Sequence, residues 1–198
     1  MQNSDMHQRK AVEEVFRRIG RNIANFQALE RALKSLLPTL SVEGAGSKIQ
    51  PNKKLHEKAL RKQSLGSLAD TLHETIFQKP TEQSLEGPLD QDEGPRFLFG
   101  FYREASPDYV RAFKRRWNSL VRERNNLVHR QLSEYDLTQD AECERFCIYL
   151  EQQHGRINMM AEDLKSLDSH RVMLSKSFAE FLMSKDADKF FETDEDDA

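Results

Sequence analysis

Two cysteines stand in 198 residues. That is too few for a disulfide framework and suits a reducing compartment. Glycine (8) and proline (6) make only 14 of the 198 residues, about 7% where ~12% is usual. Valine and isoleucine together number 13 against 22 leucines. Leucine loses little rotamer freedom in a helix, whereas β-branched residues lose more. Few chain breakers and a leucine excess favour long helices. No stretch of strict alternation is long enough to mark a strand, and no internal repeat at a fixed period occurs. The longest apolar run, Phe97 to Tyr102, is interrupted by Gly100. It falls far short of the roughly 20 residues of a membrane span. The opening Met1-Gln2-Asn3-Ser4-Asp5 lacks the basic head and apolar run of a secretory signal, so a cytoplasmic location with no membrane contact is expected. Gly-rich phosphate loops, HExxH and paired CxxC motifs are absent, which removes the commonest nucleotide-fold and zinc-enzyme signatures.

Charge is unevenly placed. Residues 186–198 hold seven acids and one lysine, net −6, so the other 185 residues carry +3 of the total −3. Residues 111–130 hold seven basic side chains (Arg111, Lys114, Arg115, Arg116, Arg122, Arg124, Arg130) and one acid, Glu123, net +6. The near-neutral total therefore conceals a basic helix and an acidic end. That end reads as a solubilising tail, or as a mimic of nucleic acid that shields the basic helix.

The apolar spacing predicts five helices. In the first, 5–37, Val12, Val15, Phe16, Ile19, Ile23, Phe26, Leu29, Leu33, Leu36 and Leu37 recur at three and four. Pro38 is expected to stop it. Gly20 lies inside, where it costs about 1 kcal/mol relative to alanine and suggests a close helix crossing. Asn22 and Asn25 lie on or beside the stripe. A second helix spans 53–78, open to a break at Ser64-Leu65-Gly66. Ser106-Pro107 starts a third, running to about 131. A fourth spans 138–167 and a fifth 171–191. Helices with one apolar face each pack as a mostly antiparallel bundle. The expected architecture is all-α: a bundle over 1–185 with loops near 38–52 and 79–106, and a mobile acidic tail over 186–198.

The third helix carries the chemistry. Its apolar stripe is Val110, Phe113, Trp117, Val121 and Val128. The centre of that stripe passes through position 124 at about 100° per residue, where an arginine stands. A buried, unpaired guanidinium is very costly. Arg124 must therefore enter a polar cleft, pair with an acid or face a partner subunit. Asn125 and His129 are four apart on one flank. Arg124 and His129 lie about 140° apart on an ideal helix. They can act on one phosphate through the long arginine side chain, through helix distortion, or through a second copy across a dimer. Histidine exchanges protons near neutral pH, and arginine holds phosphate oxygens as charge develops. Glu123 is alone on its turn, so no carboxylate cage for Mg²⁺ is evident. This set suits metal-independent RNA cleavage, in which the 2′-OH attacks the adjacent phosphate and leaves a 2′,3′-cyclic phosphate and a 5′-OH.

The segment Arg124-Asn125-Asn126-Leu127-Val128-His129 resembles the Arg-(four to six residues)-His motif of the HEPN superfamily in its Arg-Asn-x-x-x-His form. The resemblance covers this motif and the helical layout of about residues 5–167. It implies a small helical bundle with the motif near the end of one helix. It also implies a ribonuclease that works as a homodimer, two motifs facing across a cleft, in toxin–antitoxin or antiphage systems. Carried onto this sequence, His129 would be the general acid/base, Arg124 the stabiliser of the phosphorane-like transition state and Asn125 their positioner. One HEPN toxin group carries a tyrosine two residues after the histidine, which a partner modifies. Here that position is Gln131, and Tyr135 is out of register, so restraint would fall to the acidic tail or to an antitoxin or other regulatory protein.

Arg115, Arg116, Arg122, Arg130 and Asn126 are candidate RNA contacts; a solvated helix face is the plain alternative. The substrate expected is tRNA or mRNA, with no metal and no cofactor. Cys143, Cys147 and His154 share one face of the fourth helix. They lack a fourth zinc ligand and sit among Phe146, Leu150 and Ile157, so core packing is expected for the cysteines and either a satisfied core position or a place in the wall of the cleft for His154. Trp117 is expected in the core. The rival to an enzyme is a non-catalytic HEPN-like subunit that binds RNA or a protein with the same residues.

Overall fold

The structure, a computed structural model, describes residues 2–45, 48–78 and 96–187. It is a predominantly helical bundle, of the all-α class. Helix α1 spans Gln2–Leu40, α2 Ile49–Arg61, α3 Leu65–Phe77, α4 Pro107–His129 and α5 Asp140–Leu182, with a 3-10 turn at Gln131–Ser133. By compactness the chain divides into residues 1–162 and 163–198.

Two short strands correct the loop expectation at 38–52 and 79–106. β1 (Ser41–Ala45) pairs antiparallel with β2 (Arg96–Gly100), Ser41 opposite Gly100 and Ala45 opposite Arg96. The sequence Arg96-Phe97-Leu98-Phe99 is rich in residues that suit strands. Its partner is more than fifty residues away, which local spacing does not reveal. The chain after β2 stays tethered: Phe101 donates its N–H to the Leu40 carbonyl (2.7 Å), and Arg103 to that of Ile76 (2.8 Å).

Pro38 does not stop α1; the helix runs two residues further, to Leu40. Leu37 and Leu40 are fully buried, and their burial outweighs the one hydrogen bond that proline removes. The buried stripe of α1 is Val15, Ile19, Phe26, Leu29, Leu33, Leu36, Leu37 and Leu40, whereas Phe16 is half exposed. Gly20 marks no close crossing: a Cβ there would meet nothing within 4 Å. The tight approach is instead at Gly66, whose Cβ would lie 3.4 Å from Val121 Cγ1 on α4. The break before it is real. α2 ends at Arg61, and Ser64 caps α3 by accepting the Ser67 N–H.

The expected fourth and fifth helices are one. α5 runs unbroken through the proposed link at 168–170. No glycine or proline stands between Arg156 and Leu182. Asp168, Ser169 and His170 each weaken a helix by only a few tenths of a kcal/mol, and Arg171 pairs with Asp168 across that turn (2.8 Å).

Within residues 1–162, ordered contacts fix the helix directions. Arg18, Asn22 and Asn25 on α1 meet Cys147, Leu150 and His154 on α5, so these two helices run parallel. α4 runs antiparallel to α3, with Gly66 beside Val121 and the Phe77 ring edge-on to Phe113 (5.2 Å). Trp117 and Phe146 are fully buried between the helices, as their place in the stripes requires. Within 163–187, Leu164 and Leu167 are buried, whereas Val172, Met173 and Leu174 are exposed. The acidic stretch 188–198 lies outside the described residues, so the expected tail is not described beyond Asp186 and Ala187. No described helix is long and apolar enough to cross a membrane.

Candidate catalytic site at the end of α4

Ser106 and Pro107 set where α4 begins. The Ser106 hydroxyl accepts the Tyr109 N–H (3.3 Å) and Pro107 occupies the first turn, so the orphan N–H groups there are few. From that start, twenty-three residues of regular helix carry the motif to the last turn. Phe113, Trp117, Leu120 and Leu127 form the buried side. Val128, placed in the stripe by its spacing, is exposed, because the buried arc turns toward Leu120 and Leu127.

Arg124 is half-buried on this side, and its Nη1 donates to Asn125 Oδ1 (3.1 Å). It forms no ion pair with an acid among the described residues. His129, the last residue of the helix, is exposed. The helix keeps its bonding to the end: Arg130 N–H reaches the Asn126 carbonyl (2.8 Å). Regular helix therefore separates Arg124 and His129 by about 140° around the axis. Of the three routes to a shared phosphate, helix distortion is removed. The long arginine side chain and a second copy remain.

The candidate RNA contacts divide by face. Arg115, Arg122 and Asn126 are exposed, as is Arg130 at the cap. Arg116 is half-buried, with its guanidinium over the Phe113 ring, 6.0 Å from the centroid.

Sequence reasoning missed Arg156. Its Nε and Nη2 donate to the two carboxylate oxygens of Glu123 (2.9 and 3.0 Å), a bidentate clamp from α5 onto the motif turn. The only local signal was a lone acid among seven cations. Nothing in the spacing points to a partner thirty-three residues on.

Gln131, where one HEPN group has its tyrosine, is buried. Burial pushes the nearby Tyr149 hydroxyl above its ordinary range, an effect the Gln131 side chain opposes. Tyr135 stacks on Phe146 at 4.2 Å, which accounts for its place off the motif.

The fourth-helix cluster reaches the core only at Cys143; Cys147, expected there too, and His154, expected there or in the wall of the cleft, are half-buried at its edge. Cys143 is buried, and burial pushes both thiols up, with the nearby Arg18 opposing this at Cys147. His154 sits between two amides, Nδ1 at 3.0 Å from Asn25 Nδ2 and Nε2 at 3.1 Å from Asn158 Nδ2. A neutral imidazole offers one donor and one acceptor, so one of these amides faces it through its oxygen and the other through its NH₂. Among the described residues no group of three His, Cys, Asp or Glu is placed to hold a metal ion.

No protein-family profile, curated protein or solved structure matches the chain.

Proposed function

We propose that the chain is a metal-independent endoribonuclease of HEPN type, acting in the cytoplasm as a toxin or antiphage effector. The observation that carries this reading is the sequence Arg124-Asn125-x-x-x-His129 at the end of a straight bundle helix, with His129 open to solvent and Arg124 held by Asn125. In the reaction, a base takes the proton of the substrate 2′-OH. The 2′-oxygen bonds to phosphorus, and the bond from phosphorus to the 5′-oxygen breaks. The departing oxygen takes a proton. His129 serves one of these transfers, and Arg124 binds the phosphate oxygens as charge builds.

Because Arg124 and His129 diverge around the axis, the arrangement favours a site shared by two copies, Arg124 from one and His129 from the other, in a two-fold homodimer. Purified protein in EDTA is expected to cut mixed tRNA and synthetic RNA into products ending in 2′,3′-cyclic phosphate, and His129→Ala to cut neither. An equal mixture of Arg124→Ala and His129→Ala chains is expected to recover about a quarter of wild-type activity. Half the dimers would be mixed, each with one intact site of two. Recovery of nothing, with wild type active, would place both residues on one chain's phosphate.

The half-burial of Arg124 favours one second reading, a non-catalytic HEPN-like subunit that binds RNA or a regulatory protein. Folded wild type that binds RNA stoichiometrically and releases no product would establish it.

A further inference from the structure

Around α4, at about 100° per residue, Arg111, Lys114, Arg115, Arg122, Asn125 and His129 fall within about 60° of a single line. All six are exposed. Arg124 lies on the far side, with the core. Arg111 leans on Asp108 at the open start of the helix (2.5 Å), an exposed pair of small energetic weight. Lys114, Arg115 and Arg122 have no ion-pair partner among the described residues. Glu123, the acid of this stretch, is turned away and bound to Arg156. The band holds no aromatic side chain, so it offers no platform on which a base could stack.

We infer that this band is the track of a single RNA strand, gripped through its phosphates along Lys114–Arg122 and delivered to His129 at the helix end. The inference rests on the ribonuclease reading and adds the path and shape of the substrate. A row of unpaired cations, followed by the Asn125 amide, matches a repeating anion. The absence of stacking rings makes the grip indifferent to sequence. From Arg115 to His129 the helix rises about 21 Å. At about 3.4 Å per nucleotide, the rise within one strand of a stacked helix, the track covers about six nucleotides on one side of the bond that is cut. Sequence preference, where it exists, must then arise at the helix end.

The test measures binding rather than cleavage, on the full-length His129→Ala chain, with oligouridylates of three to twelve nucleotides. Affinity is expected to climb steeply up to about six nucleotides and then level off. Single-strand binding loses about 0.7 in the slope of log affinity against log salt for each phosphate contact removed. The triple substitution Lys114→Gln, Arg115→Gln, Arg122→Gln should therefore flatten that slope by about 2. A matched triple on α2, at Lys53, Lys54 and Lys58, should leave it unchanged. Circular dichroism confirms that each variant is folded. An unchanged slope in the α4 variant overturns the track, even if wild type cleaves RNA. Equal affinity for polyglutamate overturns it in favour of an acidic protein partner. No cleavage by the wild-type chain, with the length and salt dependence of binding intact, overturns the ribonuclease reading and leaves the track standing.

Discussion

Replacing Asn22 with leucine tests what holds the first and last helices in register. Asn22 and Gln153 are each 0% exposed. The Asn22 amide donates to the Leu150 carbonyl (2.7 Å) and to Gln153 Oε1 (3.0 Å), while Gln153 Nε2 is buried with no partner. Asn22→Leu removes these two bonds, worth about 1 kcal/mol each, together with the long bond that Asn22 Oδ1 accepts from Arg21 Nε (3.3 Å), and strands Gln153 Oε1 at about 1–3 kcal/mol. Leucine returns part of this through apolar burial. The expected net loss is about 2–4 kcal/mol. At about 2–4 °C per kcal/mol for a chain of this size, the midpoint falls by about 4–16 °C. The double variant Asn22→Leu, Gln153→Leu removes the stranded oxygen and the orphan amine together. It should return to within about 1 kcal/mol of wild type, because replacing both partners by apolar groups of similar shape can be nearly neutral. Urea unfolding of wild type, both single variants and the double gives the coupling directly. Additive losses, with the double worse than either single, would refute the argument that the pair acts as a unit.

Three further outcomes follow from the same geometry. Gly20→Ala and Gly155→Ala should each stabilise the protein by about 0.5–1 kcal/mol in urea unfolding, since a Cβ at either position meets nothing within 4 Å and alanine is the better helix former; a loss at both would mean that something packs there. Glu14 hydrogen-bonds Arg17 and Arg18, which lower its carboxyl to about 2. A lowered folded value stabilises the protein above about 4.5, and that contribution fades as the pH falls through 4.5 toward 2. Carboxyl NMR should show Glu14 titrating near 2, and Arg17→Gln with Arg18→Gln should return it toward 4.5. Burial raises both thiols, so iodoacetamide at pH 7 should label the folded chain slowly, with buried Cys143 behind half-buried Cys147; rapid labelling of Cys143 would contradict its place in the core.

What the sequence discloses of this fold is periodic, and what it conceals is pairwise. The stripes of α1, α3 and α4 are visible because leucines and aromatics recur at three and four. Ser64 and Ser106 mark helix starts by residue type alone. Pro38 and the Asp168-Ser169-His170 turn mislead for one reason. Both are local preferences, of about 3 kcal/mol for an interior proline and a few tenths for each of the others. Buried neighbours or an ion pair reverse them. The β1–β2 pair, the Glu123–Arg156 clamp and the Asn25 amide on His154 join residues from thirty-three to one hundred and twenty-nine apart. No window of sequence contains both halves of any of them. The motif itself was legible as residues. The face on which each residue lies followed from the helix period, while the half-burial of Arg124 needed the packing.

That division bears on the candidate site. α4 is held along its whole length: by Gly66 against Val121 near its middle, by Phe77 against Phe113 before it, and by Arg156 on Glu123 at the motif turn. A helix fixed at three points does not twist to bring side chains about 140° apart onto one atom. The angle between Arg124 and His129 is thus a property of the scaffold. The core side carries a guanidinium held by Asn125. The open side carries His129 at the end of a cationic row. On the two-copy reading His129 takes its arginine from a second copy of the chain; the other route left open is the long reach of Arg124 itself. Binding along the row requires no second copy. The same geometry therefore separates the two proposals: cleavage should depend on protein concentration through dimer formation, whereas the grip on an RNA strand should not.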